Sequence, residues 1–161
     1  MSATDNRLAA SDVHVRLVGR ICTEFFLDTA VSCADFFKGE LLTGLVFMAI
    51  LRENTRHIDH ASPEAKVYGT VTSPPPDHLR EPVTIYVIAK VLGLTYETAR
   101  RHVKRLVDDG YCVRLDRGLM IPTEVLLRSD MIRANERNLV AFNQLLHNAA
   151  RAGVIEQVGV S

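Results

Sequence analysis

Tryptophan is absent from this 161-residue sequence, and aromatic residues together make up only 6% of it. Any core must therefore rest on Leu, Val, Ile and Ala, which suits packed helices. Net charge is absent too, since 19 Lys and Arg balance 19 Asp and Glu. No global field advertises a nucleic-acid partner, so such a case has to rest on local charge. Cysteines number three, Cys22, Cys33 and Cys112, and no CxxC pair occurs. That argues against a disulfide framework and against a cysteine zinc site, and a reducing, cytoplasmic compartment is the simplest expectation. Met1 to Arg20 holds no apolar core of signal-peptide length. The most apolar run, Leu41 to Leu51, has eleven residues. A bilayer span takes about 20, so this run reads as a buried helix and no membrane contact is expected. No Ser-His-Asp set, paired carboxylates or phosphate loop stands out, so neither catalysis nor a cofactor is expected.

Apolar residues make up 47% of the chain, enough for a real core. The length suggests one domain, or one domain with helical attachments. Residues 1–10 are polar and read as a frayed start. From Ser11 to Lys38, Ile21, Phe25, Phe26, Ala30, Cys33, Phe36 and Phe37 recur at steps of three and four, which predicts a helix that Gly39 can end. Residues 40–58 form a second candidate helix, apolar on most of its surface, with Gly44 permitting close packing. Residues 59–82 are polar and carry five of the six prolines, which predicts a long surface connection. His57 and His60, where the 40–58 helix gives way to this connection, have a spacing seen in some metal sites. No supporting third ligand appears, so they read as surface histidines and no metal is expected.

Residues 83–94 read as a short strand or turn leading into a helix. Gly93 breaks that helix, and Thr95 is a good N-cap for the next one, which closes at Gly110. Two short β-prone runs follow, joined by Asp116-Arg117-Gly118 in a hairpin signal. Residues 124–152 again show helical spacing, with Ser129-Asp130 as a dividing point and Gly153 as a stop. The expected fold is therefore mainly α with a small β-hairpin.

The order helix, glycine turn, helix, hairpin makes physical sense as a unit. Val87, Ile88, Val91 and Leu92 give the first helix one apolar face, and Leu94 plugs the space between the two helices. At about 100° per residue, Ala99, Val103, Leu106 and Val107 form one stripe of the second helix. Glu97, Arg101, Lys104 and Arg105 fall opposite, with Arg100 and Tyr96 on a flank; Asp108 and Asp109 sit at the far end. From Arg80 to Arg117 there are eight Lys or Arg against five Asp or Glu. A basic face on a neutral protein can bind DNA, with an affinity expected to fall steeply with salt.

The run from Ala89 to Pro122 resembles the winged-helix DNA-binding domain of bacterial transcription regulators of the GntR, MarR and IclR kind. The residues that carry the resemblance are Ile88-Ala89, Leu92-Gly93-Leu94, Thr95-x-x-Thr98-x-Arg100-Arg101, Leu106 and Asp109-Gly110-Tyr111, followed by a wing from Val113 to Ile121. It implies a winged helix-turn-helix with flanking N- and C-terminal helices, spanning residues 40–123, in which the helix at 40–58 comes first. It further implies a recognition helix at 95–109 in the major groove and a wing at 112–122 on the backbone or minor groove. Thr95 and Thr98 would contact phosphate, while Tyr96, Glu97, Arg100 and Arg101 would approach bases. Lys104 and Arg105 would meet phosphates, and Arg114 and Arg117 a phosphate or the minor groove.

Two alternatives stay open. Tyr96 either faces DNA or packs under the wing, and the recognition helix either binds duplex DNA or serves as a protein-interaction module. The flanking segments 1–39 and 124–161 are candidate dimer interfaces, because their apolar stripes must be covered. A homodimer would place two recognition helices about 34 Å apart, one turn of DNA. A pocket for a small-molecule effector between the N-terminal helices is permitted by the sequence, but no motif calls for one.

Overall fold

The computed structural model describes residues 15–155. The polar start, the first residues of the helix expected from Ser11, and residues 156–161 lie outside that range. The chain divides into two compact units, Cys33–Asn135 on one hand and Met1–Ser32 with Glu136–Ser161 on the other. In chain order the elements are α1 (Val15–Phe36), α2 (Leu41–Thr55), α3 (Pro63–Val67), a 3₁₀ turn (Asp77–Leu79), α4 (Ile85–Leu92), α5 (Tyr96–Asp108), β1 (Val113–Leu115), β2 (Gly118–Met120), α6 (Thr123–Leu126) and α7 (Ser129–Arg151). The fold is mainly helical, with one two-stranded antiparallel sheet among the described residues.

In the unit Cys33–Asn135 the core is aliphatic. Val46 and Ile50 of α2, Ile88 of α4, Val103 and Leu106 of α5, and Ile121 and Val125 are fully buried together. Aromatic residues gather at one side of it: Phe36, Phe37, Phe47 and Tyr111 pack with ring centroids 4.9–6.2 Å apart, mostly edge to face. Arg128 lies over the Tyr111 ring, 5.3 Å from its centroid, and donates to the Gly110 carbonyl at 2.7 Å. Gly44 permits this packing, because a Cβ there would run into Cys33 Sγ and come within 2.9 Å of the Phe37 ring.

The hairpin is tighter than its sequence suggests. Leu115 pairs with Gly118, so only Asp116 and Arg117 form the loop and Gly118 belongs to β2. Gly118 has φ +141°, and a Cβ on it would lie 2.6 Å from the Val83 carbonyl oxygen. Glycine is needed because the backbone of Val83 runs alongside: Val83 N donates to Leu119 O at 3.0 Å and Leu119 N to Val83 O at 2.7 Å. The strand expected near residue 83 is thus a single bridge onto β2.

The 59–82 connection is only partly the polar excursion that its composition predicts. Ser62 caps the short helix α3 through Oγ to Ala65 N at 3.1 Å, with Pro63 at the first helical position. Its end is fastened to the core. Arg80 is buried, donating from Nε to Pro75 O at 2.8 Å and from Nη1 to Ile121 O at 2.9 Å. Asp77 Oδ1 accepts from both Thr123 N and Thr123 Oγ1 at 2.7 Å.

Asn54, fully buried at the end of α2, makes the central polar contact. Its Nδ2 donates to Glu81 O at 2.7 Å and Leu119 O at 3.0 Å, and its Oδ1 accepts from Ile121 N at 3.0 Å. Its own carbonyl accepts from Glu81 N at 2.9 Å.

In the other unit, residues 15–32 of α1 and 136–151 of α7 are joined by Arg137 Nε donating to Ser32 Oγ at 3.2 Å, with Ile21 buried. Phe26, Leu27, Val31, Leu139, Val140, Phe142 and Leu146 stay exposed. The Ser129-Asp130 division is present, since α6 ends at Leu126 and α7 starts at Ser129. No helix among the described residues is long and apolar enough to cross a membrane.

Replacing Asn54 with Ala leaves Ile121 N and Glu81 O without their partner, at about 1–3 kcal/mol for each orphaned group. Urea unfolding of Asn54→Ala is expected to show a loss of about 2–5 kcal/mol, whereas a loss below about 0.5 kcal/mol would contradict the role given to this side chain.

Candidate functional site

Two capped helices and a hairpin carry the residues that the sequence singles out. Thr84 starts α4, its Oγ1 accepting from Val87 N at 3.4 Å. Gly93 ends it in the left-handed conformation, φ +64°, where only glycine sits without strain. Gly93 N donates to Lys90 O at 3.4 Å and Leu94 N to Ala89 O at 2.9 Å, closing the helix, and half-buried Leu94 packs against the core. Thr95 Oγ1 then accepts from Thr98 N at 3.2 Å and donates to Thr98 Oγ1 at 2.9 Å, which starts α5. The amides of Tyr96 and Glu97 in that first turn have no intrahelical acceptor.

The helix α5 is amphipathic in the expected sense. Ala99, Val103 and Leu106 are fully buried and Val107 is half-buried. On α4 the buried face is Ile85, Ile88 and Ala89, with Val87, Val91 and Leu92 half-buried beside it. The face is therefore rotated from the expected set, because Ile85 at the helix start and small Ala89 meet the core most directly.

Thr95, Tyr96, Glu97, Arg100, Arg101, Lys104, Arg105, Arg114 and Arg117 are all exposed, and Thr98 is half-buried. Tyr96 is 53% exposed and so does not pack under the hairpin. The exposed charges are heavily paired. Arg100 binds Glu97 through two contacts, at 2.9 and 2.6 Å, and Lys104 reaches Asp108 at 2.6 Å. Arg105 reaches Glu40, at the start of α2, at 2.8 Å. Among the described residues, Arg101 is the one cation of α5 with no carboxylate in ion-pair range. The hydrogen bond from Arg100 holds the Glu97 carboxyl below its usual range, and Arg105 does the same for Glu40. Arg80, counted with the basic residues of this stretch, is buried and adds nothing to the exposed face.

Arg114 and Arg117 gather elsewhere, with His78 and Arg80 around a cleft of about 560 Å³. Neither makes an ion pair or a side-chain hydrogen bond among the described residues.

His102, Asn54, Arg80 and Glu40 are absent from the sequence-derived set. His102 lies three residues after Ala99 and four before Leu106, so its place on the buried stripe was legible from spacing. It is 6% exposed, and its Nδ1 lies 2.9 Å from Thr43 Oγ1 of α2 in a hydrogen bond whose direction follows the tautomer. Its Nε2 has no partner in the protein. This residue seats α5 on α2. Burial, then Arg101, lowers its pKa; Glu40 opposes this and Arg105 adds to it.

His57 lies 3.9 Å from Glu81, and no group of three metal-ligating side chains occurs among the described residues. Comparison with known protein families, curated proteins and solved structures finds no match to this chain.

The sign of the His102 effect is fixed by its lowered pKa. The unfolded chain takes up the proton near pH 6.5 and the folded chain at a lower pH, so stability is whole above 6.5 and falls as the pH drops below it. His102→Gln is expected to remove that one-proton slope from a plot of unfolding free energy against pH. Coincident slopes for parent and variant would show that His102 titrates alike in both states.

Proposed function

We propose that the unit Cys33–Asn135 is a winged helix-turn-helix that binds duplex DNA and regulates transcription without catalysing a reaction. In this reading α4 and α5 form the helix-turn-helix, α5 enters the major groove, and the β1–β2 hairpin is the wing. The observation that carries it is the two-sided character of α5: one stripe is locked into the core, while Tyr96, Glu97, Arg100, Arg101 and Lys104 stand exposed along the first three turns. The open amides of the first turn suit a phosphate oxygen. Arg100 and Arg101 suit guanine edges, and Glu97 an amino group of cytosine. The carboxylates that hold Arg100 and Lys104 are no obstacle. Solvent-exposed pairs of this kind are weak and exchange readily for phosphate.

A protein partner is the second reading, and the same pairing favours it. With Arg100, Lys104 and Arg105 each matched to a carboxylate, the face is close to neutral and carries an exposed aromatic ring, Tyr96.

We infer that a second copy of the chain covers the exposed apolar residues of α1 and α7, among them Phe26, Leu27, Leu139 and Phe142. The proposed assembly is a homodimer.

Fluorescence anisotropy with random-sequence duplex separates the first two readings. For four phosphate contacts, raising salt from about 50 to 200 mM weakens binding roughly a hundredfold. The Arg100→Ala/Arg101→Ala/Lys104→Ala variant is expected to lose most of the affinity and of this salt dependence. Absence of binding at low salt rules out the DNA reading and leaves the protein partner. Light scattering on the same preparation is expected to give twice the 17.9 kDa chain mass, and a monomer at working concentration rules out the dimer.

A further inference from the structure

The cleft beside the hairpin has features that α5 does not account for. Arg80 is 4% exposed, and its Nη2 has no hydrogen-bond partner in the protein. Its other donors go to two carbonyls, Pro75 O and Ile121 O, and among the described residues no carboxylate lies within ion-pair range of it. A guanidinium stays charged at neutral pH, and this buried charge has no direct ion pair: Asp77 favours it only from a distance, with Oδ1 already taken by Thr123. The asparagine clamp and the 3₁₀ turn hold Arg80 in this position, so the cost is built into the fold. Arg114 and Arg117 on the hairpin, also without acceptors, line the same cleft together with His78. Glu81 and Asp116 are its only carboxylates, and Glu81 already faces His57 at 3.9 Å.

We propose that this cleft binds a phosphate group, with Arg114 and Arg117 gripping its oxygens and buried Arg80 supplying the charge behind them. Guanidinium forks match phosphate oxygens in pairs, and three of them favour a dianion over a monocarboxylate. A bound metal cation is disfavoured by the same three charges. The volume, about 560 Å³, exceeds one phosphate and leaves room for the rest of a small phosphorylated molecule or a stretch of sugar–phosphate strand. Occupancy would neutralise Arg80 and tie the hairpin to residues 78–82. The site does not depend on DNA binding by α5.

The test uses the full chain and two kinds of phosphate. Thermal unfolding is measured in sodium pyrophosphate and in sodium chloride of equal ionic strength. The samples are the parent, Arg114→Ala/Arg117→Ala and, as a control for general charge, Arg52→Ala/Arg56→Ala. A midpoint raised by pyrophosphate in the parent and the control, but not in the hairpin variant, assigns the cleft to free phosphate compounds. No such rise, combined with duplex binding about tenfold weaker in the hairpin variant and a salt slope shallower by about two, assigns it to nucleic-acid phosphate. The proposal is overturned if pyrophosphate leaves the parent unmoved and the hairpin variant binds duplex like the parent. It is equally overturned if the control variant loses the pyrophosphate effect.

Discussion

The carboxamide of Asn54 joins three stretches of chain that are far apart in sequence. From the last turn of α2 it holds the end of the 59–82 connection at Glu81 and the second hairpin strand at Leu119 and Ile121. Both of its donors and its acceptor are used, so the polar group sits in the core without an orphaned atom. The consequences spread from there. With Glu81 fixed, Val83 falls beside Leu119 and completes the sheet by one bridge, and Thr84 is placed to start α4. With Ile121 fixed, its carbonyl takes Arg80 Nη1, and Thr123 reaches Asp77. The hairpin, the start of the helix pair and the proline-rich connection thus share one anchor on α2.

The helix α5 is seated on α2 by a second polar contact, His102 to Thr43, and by the aliphatic stripe beside it. Its outward face is not the unopposed cationic ridge that a count of Lys and Arg suggests. Glu97, Asp108 and Glu40 each hold one cation, which orients the side chains and lowers the net field. For a DNA reader this trades non-specific attraction for selectivity, since each cation must exchange a carboxylate for its new partner. A second group of cations lies around the cleft at Arg80, Arg114 and Arg117, none of which is held in an ion pair among the described residues.

Much of this was legible in the sequence because it follows from local rules. Gly93 and Thr95 fix the turn between α4 and α5 through a left-handed residue and a side-chain cap, both short-range devices. The Ala99, Val103, Leu106 stripe follows from helical period alone. His102 and Asn54 interrupt apolar stripes at positions that should be buried, so their burial was readable although their partners were not. Thr43 lies 59 residues from His102, and Ile121 lies 67 residues from Asn54. No periodicity encodes such pairings. Arg80 is the extreme case. It sits in a polar, proline-rich run that favours exposure, and only the fold of residues 75–82 against residues 121–123 buries it. The ion pair from Arg105 to Glu40 was hidden for the same reason.

The most direct test of the proposed DNA-binding surface is amide hydrogen exchange of the full chain with and without duplex DNA at low salt. Added protection at residues 95–105, extending to the hairpin around Arg114 and Arg117 and sparing residues 136–151, is the expected result. Protection confined to α1 and α7, or no change anywhere, would contradict a DNA-reading role for α5.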